Sequence, residues 1–187
     1  MSPIIQSDDA EREGVLGAAK LMLVAARTAP KSGGIDDILT TLVYGAEKDS
    51  IADKMDEIGG ERRLDGFKRD AKNVRQSEAI VLIGVRGSKS FGLNCGACGH
   101  VTCEEFEKVG KKFGEDFGGP TCLFKALDMG IALGSAAKIS GELNVDNRIM
   151  YRIGTAAAKL KMLPEATIIM GIPVSAKGKN IYYDRSR

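Results

Sequence analysis

The stretch "AIVLIGV", residues 79 to 85, decides the fold. A strand with one wet face alternates apolar and polar residues. A short unbroken apolar run reads instead as a strand buried on both sides. Such a strand needs cover on both faces, and the neighbouring segments have the right patterns to supply it. Upstream, residues 61 to 77 carry Leu64, Phe67, Ala71 and Val74 at three- and four-residue steps, a surface helix with one apolar stripe. Residues 46 to 58 read as a second helix, closed by Gly59 and Gly60. "ILTTLVYG", 38 to 45, reads as a strand ended by Gly45. Residues 9 to 28 are apolar on most faces, which predicts a buried helix that stops at "TAPKSGG".

Downstream of the run, "LFKALDMGIALGSAAKIS" reads as a helix. Its Ala126, Gly130 and Gly134 form a small-residue row that invites close packing by another element. "NVDNRIMYRIGTAAAKLKML" reads as a further helix, with Asp146 as its cap, Ile149, Ile153, Ala157 and Leu160 as its inner face, and Pro164 as its stop. "ATIIMGI", 166 to 172, is a third buried strand, and Ile181 to Tyr183 is read as a short last one. The expected class is therefore α+β, with an α/β-like alternation and a central sheet covered by helices. One domain, 1–187, is expected. The glycine- and cysteine-rich region 87–122 reads as an insertion within it.

Composition narrows the function. The chain has 27 basic and 25 acidic residues and a formal net charge of +2, which gives no reason to invoke nucleic acid. No basic start leads into an apolar run, and no stretch approaches the length of a membrane span. A soluble cytoplasmic protein with no membrane contact is the expectation. Thiols stay reduced in that compartment, so clustered cysteines point to metal ligands or redox groups before disulfides.

All four cysteines fall in one region, spaced C-x2-C-x4-C-x18-C: Cys95, Cys98, Cys103 and Cys122. Three readings compete. Zinc is held by four thiolates in many closed sites, but those usually come as two C-x2-C pairs, and here the second pair is split. A thiol-exchange pair at Cys95 and Cys98 leaves Cys103 and Cys122 unexplained. An iron–sulfur cluster takes three cysteines from a tight loop and one from afar, which is the pattern present. The flanking residues favour the cluster. Gly96 and Gly99 let backbone wrap closely. "TCEE" is a capping box with Thr102 as N-cap and Glu105 three residues on, so Cys103 is expected in the first turn of a helix. "GGPTC" is read the same way: Pro120 at the first helical position, Cys122 in the first turn. Helix N-termini present free N–H groups to a net-anionic group. His100, the only histidine, is read as loop filler or as a donor behind the ligands.

The module "CGACGHVTCEEF…C" resembles the segment that binds a [4Fe–4S] cluster in the corrinoid iron–sulfur protein and in the B subunit of the Rnf electron-transport complex. That resemblance implies Cys95, Cys98, Cys103 and Cys122 as cluster ligands. "LDMGIALGSAAK", "VDNRIMYRIGTAA" and "GIPVSAKGKNIYYDR" resemble a bacterial and archaeal family of uncharacterised proteins described as containing a ferredoxin domain. "AARTAPKSGG", "LDMGIALGSAAKISGE" and "IIMGIP" resemble, in order and spacing, segments of the nitroreductases. This last resemblance implies a nitroreductase-like frame, a homodimer and an FMN at its interface. Lys31, Ser32 and Gly34 would then lie near the flavin ring and Lys177 or Lys179 near its phosphate. "EREG" offers no clear equivalent of that family's phosphate-holding arginine pair. The combined expectation is a [4Fe–4S] electron-transfer protein, with an oxidoreductase activity if a flavin is present. It would serve a redox partner protein or a small-molecule electron acceptor. A zinc-stabilised, non-catalytic interaction module is the alternative.

Overall fold

The computed structural model describes residues 4–183. Six helices and six strands follow one another as α1 (Ser7–Thr28), β1 (Ile38–Tyr44), α2 (Ala46–Glu61), α3 (Asp65–Gln76), β2 (Ala79–Val85), α4 (Cys103–Lys108), β3 (Lys112–Phe113), β4 (Gly118–Gly119), α5 (Leu123–Glu142), β5 (Asp146–Asn147), α6 (Tyr151–Lys159) and β6 (Ile168–Ser175). β1, β2, β6 and β5 form one sheet in that order, and β3 pairs with β4 in a separate small one. Every pairing is antiparallel. For β1 and β2 the reason lies in their connection. Two helices intervene, so the chain crosses the sheet twice and re-enters from the end it left. The class is α+β.

The apolar run at 79 to 85 is β2, the second strand, and all of it is buried. Successive side chains of a strand point to opposite faces. Ala79, Val81, Ile83 and Val85 join a core with Val15, Met22 and Ala26 of α1 and Met129, Leu133 and Ala136 of α5. Ile80 and Leu82 join the other core, with Ile51 and Met55 of α2, Phe67 and Val74 of α3, and Ile153 and Ala157 of α6. The sheet thus carries two helices on one face and three on the other, as a doubly buried strand requires.

Four expectations need correcting. α1 is not buried all round: Leu21 and Val24 are 51% and 57% exposed, because α1 and α5 cover the sheet side by side and none of the described residues covers them. The small-residue row of α5 lies on that outer side, and a Cβ at Gly130 or Gly134 would meet no atom. Asp146 caps no helix. It pairs with Ser175 in β5, and the chain stays extended through a bridge between Met150 and Gly171, so α6 begins at Tyr151 and Ile149 is exposed. Backbone pairing with the edge of β6 outweighs the local cap signal. Third, "ATIIMGI" begins two residues later than expected and ends three later, as β6 from Ile168 to Ser175.

The tail is the fourth. Ile181 to Tyr183 is a turn, and Asp184 and Arg185 lie outside the described residues. Side chains, not strand pairing, fasten it. Asn73 Nδ2 donates to the carbonyl of Ile181, and Arg148 Nη1 donates to that of Tyr182 at 3.1 Å. Tyr182 is buried, its hydroxyl 2.9 Å from Ser77 Oγ. Burial pushes that hydroxyl's pKa far above the usual tyrosine value, so it stays protonated. Tyr182→Phe is expected to cost about 1 kcal/mol, the usual net worth of one such hydrogen bond, read as a shift in a denaturant midpoint.

Candidate functional site

The segment from Gly87 to Cys122 leaves and re-enters the scaffold at one neck. The Cys122 amide donates to the carbonyl of Gly87 at 2.8 Å, and the Gly87 amide donates to Thr167 Oγ1 at 3.0 Å. A Cβ on Gly87 would lie 2.5 Å from Thr121 Cγ2 and from Thr167 Oγ1, so the neck closes only around glycine.

Beyond the neck the chain turns back on itself. Gly92, Gly96 and Gly99 have φ of +88°, +73° and +87°, and Asn94 has +49°. At Gly96 and Gly99 a Cβ would find room. The glycines are there for left-handed backbone, not for close approach. The result is that Cys95, Cys98, Cys103 and Cys122 line a single pocket together with Ser90, Asn94 and His100. All four are free thiols. Cys95 is exposed, Cys98 and Cys103 half-buried, and Cys122 buried. The pocket gathers the thiols without closing a tight coordination sphere: among the described residues no three of His, Cys, Asp or Glu are grouped to hold a single ion.

The capping box is present. Thr102 Oγ1 accepts from the Glu105 amide at 3.1 Å, and Glu105 Oε2 reaches back to the Thr102 amide at 3.3 Å. Cys103 is the first residue of α4. Thr102→Ala is expected to cost about 1 kcal/mol locally, as loss of an N-cap does. Any metal that the thiol pocket takes up should then be held less tightly, while global thermal stability barely moves.

Cys122 differs from expectation. It is the N-cap of α5, outside the first turn. Pro120 follows a cis peptide and is not helical.

Sequence reasoning missed what surrounds Cys103. The Asn94 amide donates to Cys103 Sγ at 3.3 Å, and Asn94 Oδ1 accepts from the Cys103 amide at 2.7 Å. The Asn94 amide, then those of Gly92 and Leu93 and the Ser90 hydroxyl, hold the Cys103 thiol below its ordinary pKa and favour the thiolate. Glu107 secures this loop, accepting from both the amide and the hydroxyl of Ser90 at 3.0 and 2.7 Å. The available signal was Asn94 itself, a residue that tolerates left-handed backbone, set directly before a cysteine. His100 stacks edge-to-face on Phe106, ring centroids 5.9 Å apart.

The residues implied for a flavin fall in two places. Lys31 Nζ donates to the carbonyls of Ala26, Arg27 and Ala29 and so closes the end of α1. Ser32 donates through both its amide and its hydroxyl, each at 2.8 Å, to Asp128 Oδ1. That contact seats the turn Ser32–Gly34 on α5, with Gly33 and Gly34 in left-handed backbone. Lys177 and Lys179 line a separate cleft with Arg75. Lys177 pairs with Glu78 and also borders Asp8 and Arg12 at the start of α1. The two groups thus lie at opposite ends of a 22-residue helix, about 33 Å at ~1.5 Å per residue. One chain alone does not bring them together.

The turn at Ser32–Gly34 does meet the cysteine loop. A Cβ on Gly33 would lie 2.9 Å from the Phe91 ring, and Phe91 packs against Phe124 of α5 with ring centroids 5.4 Å apart.

Comparison with known proteins places the fold and the family. The frame matches a nitroreductase of Lactococcus lactis in complex with nicotinic acid, with a TM-score of 0.58 and 14% identity over 95% of this chain and 82% of that one. It also matches an FMN-dependent nitroreductase of Clostridium difficile, with a TM-score of 0.53 and 14% identity over 87% of this chain and 76% of that one. The fold is nitroreductase-like. A protein of Archaeoglobus fulgidus is 50% identical over 185 residues, 98% of both chains. Residues 118–185, which include Cys122, match the family described as "Uncharacterized protein containing a ferredoxin domain". The chain belongs to this family of ferredoxin-domain proteins.

Proposed function

We propose that this protein is a redox protein that holds a [4Fe–4S] cluster on Cys95, Cys98, Cys103 and Cys122 and passes single electrons to a partner protein or a small-molecule acceptor. One observation carries the reading: four free thiols, enough to complete a ligand set without His100, line one pocket. Soft thiolates suit iron–sulfur clusters. Cys103 at the start of α4 and Cys122 at the cap of α5 set helix N-termini, and the Asn94 amide, around an anionic group. The cluster when bound supplies a one-electron couple. The chain's own residues hold it, donate hydrogen bonds to its sulfur ligands and leave the Cys95 side open for an acceptor. Such thiols stay available in a reducing cytosol, which is where we place the protein.

Protein purified without oxygen should be brown and contain iron and inorganic sulfide in equal amounts. Colourless protein carrying zinc would overturn this reading in favour of a metal-stabilised interaction module.

The nitroreductase-like fold supports a second element, an FMN between two copies of the chain. Leu21 and Val24 of α1 and Leu127 and Ile131 of α5 form an exposed apolar surface around the small-residue row, suited to a second copy. Pairing would let Lys177 and Lys179 of one chain serve the same ligand as Ser32 and Gly34 of the other. Sedimentation should then show a dimer, and heating should release FMN. A monomer without flavin leaves the cluster as the sole redox group.

A further inference from the structure

One turn into α5 from Cys122 stands a charge that the fold has sealed from water. Lys125 is 1% exposed, and its Nζ lies 2.7 Å from Oδ2 of Asp37, itself buried. The contact is off the direction a hydrogen bond needs, so it is ionic. Lys89 Nζ approaches the other Asp37 oxygen at 3.6 Å from outside. Lys125 Nζ also sits 5.9 Å from the ring of Phe91, the residue before the Gly92–Asn94 amides that surround Cys103. The ammonium is thus tied to the thiol pocket from two sides, through Cys122 at the cap of its own helix and through Phe91 before the loop around Cys103.

An ion pair in this position adds little to stability. Desolvating both charges offsets most of their attraction, and an apolar pair of the same volume would serve the fold as well. What an apolar pair would lack is a field. A fixed positive charge in a low-dielectric interior acts at close range with little screening by salt. A group held by thiolates gains one negative charge when it accepts one electron, and a nearby cation favours that reduced form. The geometry points to Lys125 as a residue that raises the reduction potential of the group in the cysteine pocket, with Asp37 as the counter-charge that positions the ammonium and tempers its field. The inference rests on the cluster reading above.

The test compares anaerobically prepared wild type with Lys125→Met, Lys125→Arg and Asp37→Asn, measuring iron per chain and the midpoint potential by dye-mediated titration. With iron content equal in all four, the potential is expected to fall in Lys125→Met, hold in Lys125→Arg and rise in Asp37→Asn. Opposite shifts from the two partners are a signature of charge that a packing defect would not give. An unchanged potential in iron-loaded Lys125→Met overturns the inference. So does a fall in Lys125→Arg as large as in Lys125→Met. Should Lys125→Met fail to fold, Asp37→Asn carries the test, and no rise there overturns it. Wild type without iron would overturn the cluster reading itself, before any variant is made.

Discussion

Gly154→Ala is expected to destabilise the protein strongly. Gly154 lies in α6 where the helix presses on β6. A Cβ there would sit 1.7 Å from the carbonyl oxygen of Ile169 and 2.4 Å from its carbonyl carbon. Those are backbone atoms in the strand that holds the centre of the sheet together, so no side chain can rotate away. Opposite it, a Cβ on Gly171 would lie 2.1 Å from Ile153 Cγ2, so helix and strand each give up a side chain to let the other in. Overpacking of ordinary cores costs about 1–3 kcal/mol, and here backbone must move on both sides, so a loss of about 3 kcal/mol or more is expected. A domain has about 5–15 kcal/mol in all. Thermal melts would show the loss. Gly14→Ala supplies the control: Gly14 lies inside α1 with nothing near its would-be Cβ, and alanine there should raise stability by about 0.5–1 kcal/mol. Equal melting temperatures for the two variants would contradict the packing.

On the proposed cluster reading, Cys122→Ser is expected to abolish iron binding while leaving the fold intact. The separation of the two effects is a consequence of where Cys122 sits. It is the N-cap of α5, with no side-chain cap bond of its own, and serine is among the best residues at that position. The neck bond from its amide to Gly87 is untouched by the change. Folding should hold or improve, while the loss of one soft ligand leaves three thiols and a hydroxyl that binds iron poorly. Circular dichroism should match wild type, and iron and sulfide should fall to background. Retained iron would remove Cys122 from the ligand set.

The sequence made some features legible because their causes are local. The run at 79 to 85 betrays a doubly buried strand by itself, and Thr102 with Glu105 betrays a helix start by itself. The cysteine spacing likewise lay within one region. Other features depend on partners far along the chain. Asp146 looks like a cap until β6 offers its edge. Leu21 and Val24, within the run read as a buried helix, look like core residues until the cover of that sheet face, only one helical layer deep, leaves them outside. Pro120 looks like a helix start, yet the chain reaches the neck through a cis peptide and α5 begins later. The pairing of Asp37 with Lys125, and of Ser32 with Asp128, joins residues that no periodicity connects. At the candidate site the gathering of the four cysteines was therefore readable and their surroundings were not.

The neck has an evolutionary reading. The segment that carries the four thiols begins and ends at touching residues, Gly87 and Cys122. An excursion whose ends meet can be gained, lengthened or lost in one genetic event without stretching the frame that bears it. The same closure would let a protein engineer excise it for a short turn, or graft it as a cassette onto another scaffold with two strand-to-helix ends so juxtaposed.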